Sequence, residues 1–280
     1  MANTAEQTFK GWQQALGKRD WQAARSYLAP NVTYNGNPIQ EAHSELAEVA
    51  AAAPDIQSEI DTLVVGNDGL SVAARIIHRA TLVKSILAIP VTGQPVEWTE
   101  HIMLWVSDDD DKLISRILAL VDTQHQSAET VPRTPSDLQQ RPPPVAFNLD
   151  SMYRSYLAAI NSPTIADNLP TFYQPNLVHT AKDMTIKDLA DFLEASPKIL
   201  RDLNLSATDL IVDDASQQIA ARIQFDGTPL KPFFGIDPPT DGRAVRFYEH
   251  AFYKLDGGKF KFIWAMMDLV GYQDQVGKPR

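Results

Sequence analysis

The chain has 280 residues, a formal net charge of −10 and no cysteine. An acidic chain offers no basic surface to neutralise phosphates, so a nucleic-acid or anionic-membrane partner is not expected. The lack of cysteine excludes disulfides, thiolate metal sites and cysteine nucleophiles, while a hydrophobic content of 44% predicts a globular fold of one or two domains.

The N-terminal residues do not resemble a secretion signal. Residues 1–12 are interrupted by Glu6 and Lys10 and lack a continuous apolar stretch of signal-peptide length. The longest apolar runs, such as the one around Ile76, are much shorter than the roughly 20 residues of a membrane helix. We therefore expect a cytoplasmic protein.

The first half of the chain begins with helical patterns. Phe9, Trp12 and Leu16 recur at the spacing of one helix face. A second helix, a brief strand and a further helix are predicted over residues 21–28, 32–34 and 41–53. The apolar pattern then changes to the alternation that is typical of strands. Four long strands joined by polar turns are predicted over residues 58–65, 71–82, 95–106 and 113–122.

A polar, proline-rich stretch interrupts these patterns between Ser127 and Pro144. Its end, Arg141-Pro142-Pro143-Pro144, favours an extended connector over a packed element. We therefore divide the chain into a first domain over residues 1–126, a linker over residues 127–144 and a second domain over residues 145–280.

The second half repeats this order of elements. Helices are predicted near residues 152–160, 165–173 and 186–195, with a brief strand at residues 177–179. Four long strands follow over residues 207–212, 217–226, 243–255 and 259–269. Helices followed by a meander of strands give an α+β class, in which the helices cover one face of a curved antiparallel sheet.

Short motifs also recur between the halves at a nearly constant offset. Ala73-Ala74-Arg75-Ile76 returns as Ala220-Ala221-Arg222-Ile223, and Glu100-His101 returns as Glu249-His250. Asp122 and Asp268 each close the last apolar run of their half. Several matches in the same order indicate two copies of one domain.

Strand alternation predicts which side chains line a pocket, because successive residues point to opposite faces. Asp268 shares its face of the last strand with three large apolar residues, Phe262, Trp264 and Met266. An acid among apolar side chains is desolvated, which raises its pKa toward the range of acid–base catalysis. We therefore predict that Asp268 points into an apolar pocket.

One histidine in each half, His101 or His250, shares a strand face with aromatic side chains. A further histidine, His179, ends the short strand of the second half, at the position of Tyr34 in the first half. A histidine on an apolar face is also often a structural core residue, so both roles stay open. The aromatic residues on the two strand faces are Tyr248, Phe252 and Trp105.

Structural roles also stay open for the charged candidates. The alternatives for Asp268 are a cap at the strand end and a pair with Arg222, because buried carboxylates are rarely unpaired. Arg75 and Arg222 are expected to bind carboxylates across the sheet. Glu100 and Glu249 alternate with the histidines, so they face helices, solvent or the partner domain. The histidines interpreted as structural or exposed are His78 and His125.

The second half carries a series of motifs in a fixed order. They are an Ala-Ala-Arg strand at residues 220–222, the loop Gly235-Ile236-Asp237-Pro238-Pro239-Thr240, the turn Asp256-Gly257-Gly258 and a last strand with Trp264 and Asp268. In this order they resemble the SnoaL-like polyketide cyclases of the NTF2-like superfamily. The resemblance implies a cystatin-like cone, with a pocket between the curved sheet and the helices. It also implies contact through sheet faces, either as an intramolecular pseudo-dimer of the two domains or as a homodimer.

The resemblance further implies that the aspartate of the last strand is the general acid or base, that a pocket histidine assists it, and that no metal or organic cofactor takes part. In this sequence these residues are Asp268 and His250, with Asp122 and His101 as their counterparts in the first half and His179 as a further candidate. The expected substrate-binding side chains are Trp264, Phe262, Met266, Tyr248, Phe252, Tyr34 and Trp105.

Three functions remain open. The leading one is a cofactor-independent cyclase or isomerase, which uses acid–base catalysis on a polyketide- or terpenoid-like small molecule of secondary metabolism. The second is epoxide hydrolysis or epoxide-opening cyclisation, with Asp268 and either His179 or His250 as the acid–base pair. The third is a non-catalytic binding or scaffold protein, in which the carboxylates pair with Arg75 and Arg222.

Overall fold

The structure of the protein is a computed structural model, which describes residues 4–39, 48–86, 89–109, 111–122, 131–138 and 148–277. Met1–Gln139 and Gln140–Arg280 form two compact units, called unit 1 and unit 2 below. Each unit contains one six-stranded sheet together with helices. The predicted α+β class with two tandem domains is confirmed.

Unit 1 contains two N-terminal helices and six strands. These are α1 (Ala5–Gly17), α2 (Trp21–Ser26), β1 (Leu28–Tyr34), β2 (Asn37–Pro38), β3 (Gln57–Val65), β4 (Ser71–Thr81), β5 (Pro95–Val106) and β6 (Ile114–Val121). The strand order is β2-β1-β6-β5-β4-β3, with β1 parallel to β6 and the strands from β6 to β3 antiparallel. Of the helix predicted over residues 41–53, residues 48–52 are helical and residues 41–47 lie outside the described part of the chain.

Unit 2 repeats this topology, in the order β8-β7-β12-β11-β10-β9. Its elements are α3 (Leu149–Ile160), α4 (Ile165–Phe172), β7 (Tyr173–His179), β8 (Lys182–Thr185), α5 (Ile186–Ala195), a short 3-10 helix (Ser196–Lys198), β9 (Leu200–Asp213), β10 (Gln218–Pro229), β11 (Val245–Asp256), β12 (Lys259–Met267) and α6 (Leu269–Gly277). No helix in the described ranges is long and apolar enough to cross a membrane.

The strand register supports the alignment of the two halves. Glu100 on β5 lies opposite Ile76 on β4, and Glu249 on β11 lies opposite Ile223 on β10. The backbone amides that follow the last strands also correspond, because Asp122 donates to the Thr99 carbonyl and Asp268 donates to the Tyr248 carbonyl. The motifs that recur in the sequence therefore occupy equivalent positions in two copies of one fold.

In each unit the helices pack on one face of the sheet, called the inner face below; the opposite side is the outer face. In unit 2, Tyr153 and Leu157 of α3 form one apolar core with Ile223 of β10 and Ala251 of β11. In unit 1, α1 packs on the even-numbered positions of β4 and β5, among them Ile76 and Ile102. Because side chains alternate along a strand, these core residues fix which neighbours face inward.

Part of the segment predicted as a connector packs on the sheet of unit 1. The Val131 amide donates to Glu97 at 2.9 Å, and Arg133 forms an ion pair with the same carboxylate at 2.7 Å. Thr134 donates its amide and its hydroxyl to Asp61. Residues 131–134 are therefore held by two buried carboxylates of unit 1, whereas residues 123–130 and 139–147 lie outside the described part of the chain.

Candidate functional site

The apolar residues predicted to line the pocket lie on the outer face of unit 2. Along β12, Ile263 and Ala265 pack with the core beneath the helices. Phe262, Trp264 and Met266 alternate with them and therefore lie on the outer face, where they are also buried. The prediction that these three line a pocket beneath the helices is wrong, because both faces of β12 are apolar and alternation alone cannot distinguish them.

Asp268 caps helix α6. Its carboxylate accepts the Gly271 amide at 2.8 Å, and its carbonyl accepts the Tyr272 amide. A side chain at Gly271 would collide with this carboxylate. An aspartate at this position satisfies one of the free amides of the first helical turn. The structure thus favours the capping alternative over the predicted inward orientation of Asp268.

The strand histidines also lie on outer faces. His250 is buried opposite Arg222 of β10, and His101 is buried opposite Arg75 of β4. Asp122 follows β6 on the same side as Arg75. Burial lowers the pKa of Arg75, while the charges of Asp61 and Asp122 act to raise it. The acid–base pairs implied by the resemblance are therefore not placed beneath the helices.

Both strand arginines lie near carboxylates across the sheet, as predicted. The Arg75 guanidinium is 2.6 Å from the carboxylate of Asp61, and the Arg222 guanidinium is 3.9 Å from that of Asp209. The Arg222 guanidinium also stacks on the ring of Tyr248 at 3.4 Å from its centroid. Tyr248 is thus part of a cation–π contact rather than of the inner face.

Two of the predicted site residues do lie on inner faces. His179 of β7 is in register with the core residue Ile263, and burial lowers the pKa of its imidazole. Tyr34 holds the equivalent place in unit 1, in register with Ile117, and packs against the core beneath α1. The other predicted ligand contacts, Trp105 and Phe252, lie on outer faces by alternation.

The inner face of unit 2 carries a carboxyl group that has a perturbed pKa. Glu249 lies on β11 between Ala251, which belongs to the core beneath the helices, and Phe247, which belongs to a second apolar cluster with Tyr272 of α6. Its side chain is only half-buried, yet desolvation raises its pKa to about 7. Glu249 therefore lies between two apolar clusters, and solvent still reaches part of its side chain.

Four buried tyrosines belong to the core beneath the helices and form what we call the tyrosine cluster: Tyr153, Tyr156, Tyr173 and Tyr253. The Tyr173 hydroxyl donates to the Tyr156 hydroxyl at 2.7 Å, and the Tyr153 hydroxyl donates to the Tyr253 hydroxyl at 3.3 Å. Burial raises the pKa of all four phenols, and the negative charge of Glu249 raises each further. The cluster therefore stays protonated at neutral pH and retains its hydrogen-bond donors.

His179 does not meet Glu249. The imidazole lies beside Ile263 of β12, whereas Glu249 lies beside Met267, four residues further along the same strand. At about 3.3 Å per residue this separation exceeds 10 Å. The pair required for epoxide opening, Asp268 with His179 or His250, is likewise not assembled on the inner face.

The equivalent glutamate of unit 1 has polar neighbours. A carboxylate oxygen of Glu100 lies 3.0 Å from Nε2 of His78, within hydrogen-bonding distance. The other ring nitrogen of His78 lies 2.9 Å from the Ser58 hydroxyl, and the ring stacks on Trp98 with centroids 5.3 Å apart. We call these four residues the His78 cluster.

In unit 2 the register positions of the His78 cluster are apolar apart from the glutamate. Leu205, Phe225 and Phe247 stand where unit 1 has Ser58, His78 and Trp98. The Phe225 and Phe247 rings stack with centroids 5.1 Å apart. The same glutamate position is therefore hydrogen-bonded in one unit and desolvated in the other.

For the recurring Glu-His pair, the sequence pattern placed the histidine on the pocket face, whereas the structure has the glutamate on the inner face and the histidine on the outer face. Large apolar side chains occur at both parities of β11, with Phe247 and Tyr253 on one face and Phe252 on the other. The sequence of α3 could have indicated the polar side chains of the inner face. Tyr153 and Tyr156 lie on the apolar side of this helix, which packs on the inner face. In the described part of the chain, no group of three or more histidine, aspartate or glutamate residues is arranged to hold a metal ion.

A family model described as SnoaL-like polyketide cyclase matches residues 6–117 and again residues 150–276. Among solved structures, a SnoaL-like polyketide cyclase from Agrobacterium tumefaciens strain C58 is 30% identical; the match covers 47% of this chain and 99% of that chain, with a TM-score of 0.43. TsrD from Streptomyces laurentii is 25% identical over 46% of this chain and 94% of that chain, with a TM-score of 0.41. No curated protein matches the chain.

Proposed function

Because this chain belongs to the SnoaL-like polyketide cyclase family, whose model matches a segment of each unit, we propose that it is a cyclase or isomerase of a polyketide- or terpenoid-like small molecule and acts by cofactor-independent acid–base catalysis. The observation that carries the acid–base step is the position of Glu249, whose pKa of about 7 places both of its protonation states within reach at neutral pH. A general acid or base is most effective when its pKa is near the working pH.

The chemistry assigned to this site is proton transfer beside a carbonyl group. The Glu249 carboxylate removes a proton from carbon, and a phenol of the tyrosine cluster donates a hydrogen bond to the oxyanion that develops on the carbonyl oxygen. The carbanion or enol then closes a ring or shifts a double bond, and Glu249 returns the proton. The apolar residues on both sides of Glu249 favour an organic guest and exclude water.

A small probe tests this site without knowledge of the natural substrate. In 5-nitrobenzisoxazole, removal of the proton bonded to carbon opens the ring to a coloured phenolate. We expect the full chain to accelerate this reaction, with a rate that rises with pH around a midpoint near 7. Glu249→Gln should lower the part of the rate that has this midpoint by about 100-fold or more, because the amide is not a base. An unchanged rate in this variant would overturn the proposal.

A second variant tests whether the neighbours of Glu249 set its pKa. Phe225→His places an imidazole where unit 1 has His78, and an imidazolium favours the ionised carboxylate. We expect the midpoint of the pH–rate profile to move to lower pH. The matched control is Phe192→His, on the exposed surface of α5, which should leave the midpoint in place. A midpoint that moves equally in both variants would contradict the assignment.

A further inference from the structure

Ser58, His78 and Glu100 form a continuous hydrogen-bonded chain across three adjacent strands of unit 1. The Ser58 hydroxyl lies 2.9 Å from Nδ1 of His78, and Nε2 of His78 lies 3.0 Å from a Glu100 carboxylate oxygen. The two ring nitrogens thus face one neutral hydroxyl and one carboxylate. A carboxylate on one nitrogen fixes the tautomer, because it accepts the Nε2 proton and leaves Nδ1 as the basic atom.

The His78 cluster lies on the inner face of unit 1, between two apolar clusters. On one side of His78 and Glu100 is the core beneath α1, which contains Ile102. On the other side is a smaller apolar cluster, to which Trp98 itself belongs together with Ala80. The same arrangement flanks Glu249 in unit 2. The His78 and Glu100 side chains retain 12% and 17% of their accessible surface, and Ser58 is exposed. The basic nitrogen can therefore be approached from the Ser58 side.

We propose that His78 is the proton-transfer group of a second acid–base site, in unit 1, which takes small neutral organic molecules with an acidic C–H or O–H group. The proton passes from the substrate to Nδ1 of His78, either directly or through the Ser58 hydroxyl, which gives its own proton to Nδ1 and receives that of the substrate. Glu100 accepts a hydrogen bond from Nε2 and stabilises the imidazolium that forms. The proton returns to the product, so the site is restored.

This site is chemically different from the one in unit 2, although the backbone positions are equivalent. Unit 2 has Phe225 in place of the imidazole and Leu205 in place of the hydroxyl, so its glutamate acts alone. In unit 1 the glutamate is a positioning residue and the imidazole carries the proton. Two copies of one fold thus hold two different bases at equivalent backbone positions.

The experiment measures the 5-nitrobenzisoxazole reaction of the full chain in a Glu249→Gln background, where the remaining rate reports on unit 1. We expect His78→Phe to lower this remaining rate at least tenfold, with unchanged circular dichroism. Glu100→Gln should lower kcat and leave KM unchanged, because the carboxylate stabilises the imidazolium only after proton transfer has begun. A purely structural role of the pair would not give this separation of kcat from KM. Trp21→Phe, on the exposed surface of α2 in the same unit, is the control and should leave the rate unchanged.

The outcomes separate this inference from the proposed function. If Glu249→Gln alone reduces the rate to that of buffer, the second site is overturned and the site in unit 2 stands. If Glu249→Gln has no effect but His78→Phe abolishes the rate, the second site stands and the first is overturned. A rate of the unaltered chain no higher than that of free imidazole at the same concentration overturns both.

Discussion

Glu100 and Glu249 show how neighbours decide the behaviour of one side chain. Both lie at the same register position of the third long strand of their unit, β5 or β11, opposite Ile76 and Ile223. Glu100 has the His78 imidazole within hydrogen-bonding distance, whereas desolvation is the cause of the raised pKa of Glu249. The same residue type is thus hydrogen-bonded to an imidazole in one unit and lies between apolar clusters in the other.

The raised pKa of Glu249 predicts a pH-dependent cost in stability. The folded carboxyl binds its proton more tightly than the unfolded one, so stability declines as the pH rises from about 4.5 to about 7 and the loss is complete above that range. The difference between the ordinary pKa and the pKa in the folded chain corresponds to a cost of up to about 3 kcal/mol. The cost is smaller because solvent reaches part of the side chain and screens its charge. Glu249→Gln should remove it, so urea unfolding should show the variant gaining stability over the unaltered chain between pH 4.5 and pH 8. Parallel pH curves for the two proteins would contradict this.

At the scale of single residues, the recurring Glu-His pair was visible in the sequence, but the orientation of its two members was not. Alternation separates His250 from Glu249 but does not tell which of them faces the helices. Phe247 and Phe252 show why, since large aromatic residues occupy both faces of β11 and the hydrophobic pattern is symmetric. The orientation is settled by packing against α3, which a pattern within one strand does not contain.

At the scale of an element, Asp268 stabilises the start of helix α6. Asp268→Ala removes the acceptor of the Gly271 amide and should destabilise the chain by about 1 kcal/mol, the usual cost of losing an N-cap. Asp268→Asn keeps a good cap and should retain both stability and turnover. Thermal unfolding and the probe reaction measure the two effects. Loss of turnover in Asp268→Asn with an intact fold would restore the catalytic role that the sequence suggested.

The long strands were predictable because their alternation extends over eight or more residues. β5, for example, has the predicted bounds of residues 95–106. Shorter or less regular elements were missed: β2 spans two residues, and α6 has little amphipathic character around its single buried aromatic residue, Tyr272. β9 begins at Leu200 rather than at residue 207, because the exposed polar residues Arg201, Asp202 and Asn204 interrupt the apolar pattern at the start of this edge strand.

At the scale of the whole molecule, duplication was the strongest signal in the sequence, since several motifs recurred in order. The proline-rich composition of residues 127–144 suggested a connector without packing. Residues 131–134 instead pack on unit 1, where Arg133 forms an ion pair with Glu97 and the Thr134 amide donates to Asp61. Composition could not show this, because the partner carboxylates of Glu97 and Asp61 lie far away in the sequence.

Arg133→Ala tests how strongly this segment is held. The Arg133 hydrogen bond lowers the pKa of Glu97, so the pair stabilises the fold above the ordinary carboxyl pKa of 4.5 and loses this effect as the pH falls below it. We expect a loss of roughly 1–3 kcal/mol at pH 7, because a buried carboxylate is left with fewer partners. Denaturant unfolding at pH 7 and pH 3.5 measures it. Arg154→Ala, which breaks an exposed pair within α3, is the control and should cost about 0.5 kcal/mol or less. Equal losses in the two variants would contradict the role of residues 131–134.

The half-open setting of Glu249 has a consequence for calorimetry. A neutral guest that binds against the Glu249 carboxyl displaces the water that still reaches this half-buried group. The ionised form of Glu249 then becomes still less favourable. Association near neutral pH therefore draws a hydrogen ion from the buffer, so the heat of binding varies with the ionisation enthalpy of the buffer chosen. The number of hydrogen ions taken up should be no more than about one half at the midpoint of Glu249, should approach one about one pH unit above it, and should vanish in Glu249→Gln.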